Sequence, residues 1–202
     1  MLSWTVGGYP SPILDLVRRM TAPPTPDIGS TLLAVATDRY GAKSAPEAVR
    51  AWNAFSDAFA EYPFHIGFVY NGPAQVAPAN PLYLSPTGWS STMVGFPYDD
   101  LEGWRQVYPA EVLGSQFDKM ASLWSAGIPS LEKAAKRAST PENRTNARAD
   151  LAIADAAGLH FLSVADQVKF ILARKDFLDP SSTDGEREDR KSTRLNSSHR
   201  IR

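Results

Sequence analysis

The stretch SAPEAVRAWNAFSDAFAEY, residues 44–62, carries the clearest secondary-structure pattern in the chain. Its apolar residues recur at spacings of three and four, which predicts one face of a helix: Ala48, Val49, Trp52, Phe55, Phe59 and Tyr62. Ser44 followed by Glu47 is a capping box that predicts the start, and Pro63 predicts the end. We expect this aromatic row to pack in a core rather than to bind a ligand.

Similar patterns on both sides of this helix predict a mainly α fold, a helical bundle. Ser11 before Pro12 and Thr25 before Pro26 are typical of helix starts, and Gly41 is typical of a helix end. The remaining helices are expected at 109–128, 130–138 and 140–174.

Residues 63–108 interrupt the helical pattern with a segment rich in aromatic residues, Pro, Gly and Asn. This insert is too apolar for a disordered linker, and its prolines exclude a continuous strand ladder. Short strands are expected at 65–70 and at 91–96, and either Asp99 or Asp100 can cap a short helical turn. Long ordered irregular segments often carry function, so we expect any ligand to lie here.

The composition excludes several classes of site. The chain has 202 residues, a formal net charge of −1 and no cysteine. These values give no electrostatic case for binding nucleic acid or an anionic membrane, and they exclude disulfides and thiolate sites. We expect no membrane span, because no run of about 18 apolar residues occurs. We expect no cofactor or metal, because nucleotide-binding loops and paired histidines are absent.

Aromatic, amide and carboxylate side chains are the candidate ligand contacts, since such groups suit the C–H faces and hydroxyls of sugars. Three of the candidates have a structural alternative. It is a structural hydrogen bond for His65 and helix capping for Asp99 or Asp100. Glycoside hydrolysis needs two carboxylates roughly 5–9.5 Å apart, which adjacent residues seldom provide, so no catalytic residue is assigned. The predicted ligand-binding set is Trp4, Tyr9, His65, Tyr70, Asn71, Trp89, Tyr98, Asp99, Asp100 and Trp104.

Four phrases carry a family resemblance: SWTVGGYPSP at 3–12, AWNAFSDAF at 51–59, PFHIGFVYNGP at 63–73 and MVGFPYDDLEGW at 93–104. Together they resemble the C-terminal part of large bacterial glycoside-hydrolase-like proteins, which carry a (β/α) barrel followed by helices. The resemblance implies that residues 2–6 are the last barrel strand and that Trp4 or Tyr9 lines a sugar pocket. The alternative for 2–6 is an edge strand that pairs with a later segment.

We therefore expect a chain in three parts. Residues 1–24 would end a truncated barrel, 25–178 would form a helical domain with the insert 63–108, and 179–202 would be a disordered tail. Within the tail, DRKSTRLNSSH at 189–199 resembles a translated sequencing adapter.

The resemblance implies a C-terminal fragment of a carbohydrate-active protein that is inactive alone and has Met1 inside a longer natural chain. Such a parent would be exported if it degrades glycans. The alternative function is a non-catalytic helical module that binds a glycan or a protein.

Overall fold

The computed structural model describes residues 11–21, 23–24, 26–93 and 95–179, of which about 71% are helical and none lies in a strand. The mainly α prediction is thereby confirmed. The helices are α1 (Pro12–Met20), α2 (Ile28–Tyr40), α3 (Ala45–Phe59), α4 (Ile66–Asn71), α5 (Leu101–Arg105), α6 (Ala110–Ser125), α7 (Ile128–Arg137) and α8 (Pro141–Leu178), with 3₁₀ turns at Pro73–Gln75 and Ala77–Ala79. The expected barrel strand at 2–6 and the adapter-like segment at 189–199 lie outside the described residues.

Helix ends follow short-range hydrogen bonding. Ser11 caps α1, since its hydroxyl accepts from the backbone N–H of Ile13 at 3.3 Å. Asp27 caps α2 by accepting from the N–H of Ser30 at 2.8 Å, two residues later than the sequence pattern indicated. Gly41 ends α2 with φ +87°, a conformation that favours glycine.

The capping box expected at the start of α3 does not form. Ser44 occupies the cap position, but its hydroxyl makes no capping hydrogen bond. Glu47 instead accepts from Arg50 at 2.9 Å and from Arg137 of α7 at 3.0 Å. The carboxylate is therefore used to join α3 to α7 rather than to close the first turn of α3.

Two expected strands are wrong. Residues 66–71 form helix α4, because His65 caps its first turn and Gly72 follows its last residue. The described residues of 91–96 form no strand. Asp100 caps α5 by accepting from the N–H of Gly103 at 3.0 Å, as one of the two expected alternatives.

The chain divides into two compact units: the first comprises Met1–Tyr62 and Lys119–Leu159, and the second comprises Pro63–Asp118 and His160–Arg202. In the first unit, α3 packs against α2 and α7 largely through small side chains. Fully buried alanines dominate this core: Ala36, Ala45, Ala48, Ala51, Ala58 and Ala134. The aromatic row is core only in part, because Phe55 is buried and stacks on Trp124 at 4.3 Å, whereas Phe59 is exposed.

A buried ion pair links α2 to α8 within the first unit. Asp150 accepts from Arg39 Nε at 2.5 Å and from Arg39 Nη2 at 2.9 Å, and also from the hydroxyl of Tyr40. Burial and the neighbouring Asp150 carboxylate both raise the pKa of Tyr40 far above its usual range, so its hydroxyl stays protonated and donates.

The second unit has a separate apolar core. Phe68 of α4 packs on Phe117 of α6 with ring centroids 5.5 Å apart, and both side chains are fully buried. Trp104 of α5 and Val164 and Val168 of α8 are also fully buried. This core fixes the position of α8 residues 160–178, which contact the irregular segment 72–100 described next.

Among the described residues, α8 alone is long and apolar enough to cross a membrane by length and composition. Three of its polar side chains are nevertheless buried and bonded to other parts of the chain: Asp150, Gln167 and Arg174.

Candidate functional site

Three aromatic side chains meet in the irregular segment of the second unit, and we call Trp89, Phe96 and Tyr98 the aromatic cluster. The ring of Tyr98 lies 4.8 Å from that of Trp89, edge to face, and 6.0 Å from that of Phe96. Trp89 is 54% exposed and Phe96 is 40% exposed. The cluster therefore presents aromatic surface to solvent in a geometry that rings favour.

Tyr98 is held in an uncommon backbone conformation, with φ +50°. Its N–H donates to Asn80 Oδ1 at 2.8 Å, and its carbonyl accepts from Asn80 Nδ2 at 2.9 Å. Asn80 Nδ2 also donates to Gln167 Oε1 at 2.7 Å, so the asparagine itself is fixed. A bulky residue at positive φ costs free energy, and these hydrogen bonds offset that cost.

Asp99 lies next to the cluster in a nearly closed environment, with its side chain 4% exposed. It accepts from the N–H of Thr87 at 3.0 Å, from the Thr87 hydroxyl, and from Arg174 Nη2 at 2.5 Å. Burial alone would raise the pKa of Asp99, but the hydrogen bonds from Thr87 and Arg174 outweigh it and lower the pKa. Asp99 is therefore a charged structural anchor at neutral pH.

Asp100 is engaged in the same way. Its carboxylate accepts from the N–H of Ser91 at 2.7 Å, from the Ser91 hydroxyl at 3.1 Å, and from the N–H of Gly103. Both carboxylates thus hold the loop in shape, and their oxygens are occupied by donors from the chain. The geometry supports the structural alternative for the pair and offers no arrangement for acid–base chemistry across a sugar.

The other members of the predicted set lie outside the cluster. His65 Nδ1 accepts from the N–H of Gly67 at 3.1 Å and so caps α4, on which Tyr70 and Asn71 also lie. Trp104 is fully buried and cannot touch a ligand, and its Nε1 is without a hydrogen-bond partner in the described part of the chain. Trp4 and Tyr9 fall outside the described residues.

Sequence reasoning missed four side chains that shape the cluster: Phe96, Thr87, Gln167 and Arg174. Phe96 was missed because it lay at the end of the strand predicted at 91–96 and was not considered as a ligand contact. Gln167 and Arg174 interrupt the apolar face of α8, and a buried polar residue within such a face is the sequence feature that could have revealed them.

No group of three or more His, Asp or Glu side chains able to hold a metal ion occurs within the ranges that the structure describes. The site is an aromatic surface held in place by two carboxylates, an asparagine, a glutamine and an arginine.

No protein-family model matches the chain, and no curated protein or solved structure matches it significantly.

Proposed function

We propose that this chain binds carbohydrate through the aromatic cluster, as a non-catalytic part of a bacterial glycoside-hydrolase-like protein. The observation that carries the proposal is the exposed indole of Trp89, set edge to face against Tyr98 on a loop whose backbone is fixed. An exposed aromatic ring offers a flat apolar face to the C–H groups of a sugar, and Tyr98 adds a polar hydroxyl.

The fixed loop favours binding because less conformational entropy is lost when a ligand docks. Asn80 bonds the backbone of Tyr98, and Asp99 bonds the backbone N–H of Thr87, two residues before Trp89. A surface ordered before binding keeps more of its interaction energy as affinity.

The role is binding rather than hydrolysis because the nearest carboxylates are committed to the loop. To act as a general acid or base, Asp99 would first have to give up its hydrogen bonds from Thr87 and Arg174. Asp100 would have to give up those from Ser91 and Gly103. Any hydrolytic activity is accordingly assigned to the barrel of a longer parent protein, in line with the resemblance.

Retention on insoluble cellulose, chitin, xylan and starch, followed by affinity electrophoresis in the soluble forms, tests the proposal. We expect wild-type protein to be retained by at least one polysaccharide. Trp89→Ala should weaken that binding about tenfold or more, which corresponds to the loss of about 1.4 kcal/mol. Tyr70→Ala removes an aromatic ring that is 47% exposed on α4 and serves as the matched control.

Binding that is unchanged in Trp89→Ala would contradict the proposal, as would equal losses in Trp89→Ala and Tyr70→Ala. Failure of the wild-type protein to bind any of the four polysaccharides would also contradict it.

A further inference from the structure

Three polar residues of α8, His160, Gln167 and Arg174, recur at intervals of seven. Seven residues make two helical turns less about 20°, so the three side chains share one face of the helix. Each interval rises about 10.5 Å along the axis. We call these residues the polar row.

The polar row contacts the irregular segment in chain order. His160 Nε2 lies 2.7 Å from the carbonyl oxygen of Ala74, Gln167 Nε2 donates to that of Ala77 at 2.7 Å, and Arg174 Nη1 donates to that of Tyr83 at 2.7 Å. Residues 74 and 83 are nine steps apart, which would span about 18 Å at the rise of a 3₁₀ helix, close to the ~21 Å between His160 and Arg174. The segment therefore runs along the helix in the same direction.

Gln167 and Arg174 each make a second hydrogen bond, which begins a series of hydrogen bonds that leads to one residue of the aromatic cluster. We call each of these two series an arm. Gln167 accepts from Asn80, which holds both backbone polar groups of Tyr98.

Arg174 bonds Asp99, and Asp99 bonds Thr87. The Thr87 hydroxyl then accepts from the N–H of Trp89 at 3.2 Å. The side chains of Gln167 and Arg174 are thus each two or three hydrogen bonds away from a residue of the aromatic cluster, half-buried Tyr98 and exposed Trp89 respectively.

We infer that Gln167 and Arg174 are positioning residues, which set the relative placement of Tyr98 and Trp89 through these two arms. The inference about ring placement stands on the described contacts, and its consequence for glycan affinity rests on the proposed function. The two arms make different predictions: changing Gln167 displaces Tyr98, and changing Arg174 releases the Thr87–Trp89 end.

The placement of Trp89 can be measured without a ligand by ¹⁹F NMR of protein labelled with 5-fluorotryptophan. The chain contains five tryptophans, and Trp89→Phe identifies the resonance of Trp89. We expect Arg174→Gln to shift or broaden that resonance while the resonances of Trp52 and Trp124, in the first unit, stay in place. Lys175→Gln, at the exposed neighbouring position, is the matched control and should move none of them.

A conservative variant and a remote variant separate positioning from general stability. Arg174→Lys keeps a charge that can reach one acceptor, so the Trp89 resonance should return part of the way to its wild-type position. Thr87→Val interrupts the same series of hydrogen bonds without changing a residue of α8, and it keeps the test valid even if Arg174→Gln fails to fold. It should move the Trp89 resonance while lowering the melting temperature less than Arg174→Gln does, because the N–H of Thr87 still donates to Asp99.

For a polysaccharide that wild-type protein binds, Arg174→Gln and Thr87→Val should each weaken binding about tenfold. A Trp89 resonance that is unmoved in Arg174→Gln or in Thr87→Val overturns the inference. If no polysaccharide binds, the proposed function fails while the ¹⁹F measurement still decides the placement of the rings. If binding persists and the resonance is unmoved, the proposed function stands and the inference alone is wrong.

Discussion

The α3 interfaces of the first unit and the irregular stretch 80–100 of the second, which we call the aromatic loop, are held by different kinds of contact. Helix α3 packs through fully buried alanines such as Ala48 and Ala51, which let the helix backbones approach closely. The aromatic loop is held by buried polar side chains, Asn80, Gln167 and Arg174, which bond backbone groups or carboxylates. One region depends on complementary shape, and the other on satisfying polar groups that would otherwise be buried unpaired.

The difference has a physical cause. Helices satisfy their own backbone groups, so apolar surface can form most of their interfaces, and the Glu47–Arg137 ion pair between α3 and α7 is added to it. The aromatic loop lacks regular structure, so its carbonyl groups need donors from elsewhere, and α8 supplies them. We expect the two regions to respond differently to loss of a polar partner and to an increase in side-chain volume.

The largest expected loss of stability comes from changing Asp150, because its partner Arg39 is buried. The change tests whether apolar contacts are sufficient in the first unit. Asp150→Ala leaves Arg39 buried without its carboxylate, and we expect the free energy of unfolding to fall by about 3–5 kcal/mol. Urea denaturation measures the loss. Asp155→Ala, at an exposed site on the same helix, should stay within about 0.5 kcal/mol of wild type. Similar values for the two variants would show that the ion pair contributes nothing beyond packing.

The next effect tests shape complementarity. Ala51→Leu adds three carbon atoms at a fully buried position, and we expect it to destabilise the chain by about 3 kcal/mol. Asn53→Leu places the same leucine side chain at an exposed position of the same helix and should change stability by less than about 0.5 kcal/mol. A tolerated leucine at position 51 would mean that α3 is less closely packed than its alanines indicate.

The sequence predicted much of the helical framework because its determinants are local. Apolar spacing placed α3, Ser11 marked the start of α1, and Gly41 marked the end of α2. The errors arose where local preference competed with a distant partner. Glu47 fits a capping box, but its carboxylate bonds Arg50 and also Arg137, which lies ninety residues away in the chain.

The candidate site was predictable only as a set of residue types. Aromatic and carboxylate side chains pointed to Trp89, Tyr98, Asp99 and Asp100, which the structure brings together. Their arrangement depends on Gln167 and Arg174, which lie 87 and 75 residues away from their partners Asn80 and Asp99. Short-range periodicity contains no information about such pairs, so the exposed ligand surface and the buried Trp104 could not be told apart.

A smaller loss of stability is expected when Asp99 is neutralised by low pH or by substitution, because it holds the loop through a charged carboxylate. Hydrogen bonds hold its pKa in the folded state below the ordinary value, so its contribution to stability is complete above about pH 4 and is lost as the pH falls further. We expect Asp99→Asn to cost about 1.5 kcal/mol at neutral pH. Urea denaturation from about pH 7 to pH 3 should show this cost shrinking below about pH 4. A cost that is constant with pH would mean that the carboxylate charge is irrelevant to the loop.

The smallest expected effect asks whether side-chain polarity matters along the aromatic loop. Leu84 is 83% exposed, and it follows Tyr83, which Arg174 holds through its backbone carbonyl. Leu84→Ser should therefore change the free energy of unfolding by less than about 0.5 kcal/mol. The same substitution at Leu131, buried in the first unit, should cost more than about 3 kcal/mol. A cost above about 1 kcal/mol at Leu84 would show that apolar contacts also hold the loop, and the contrast between the two regions would then be one of degree.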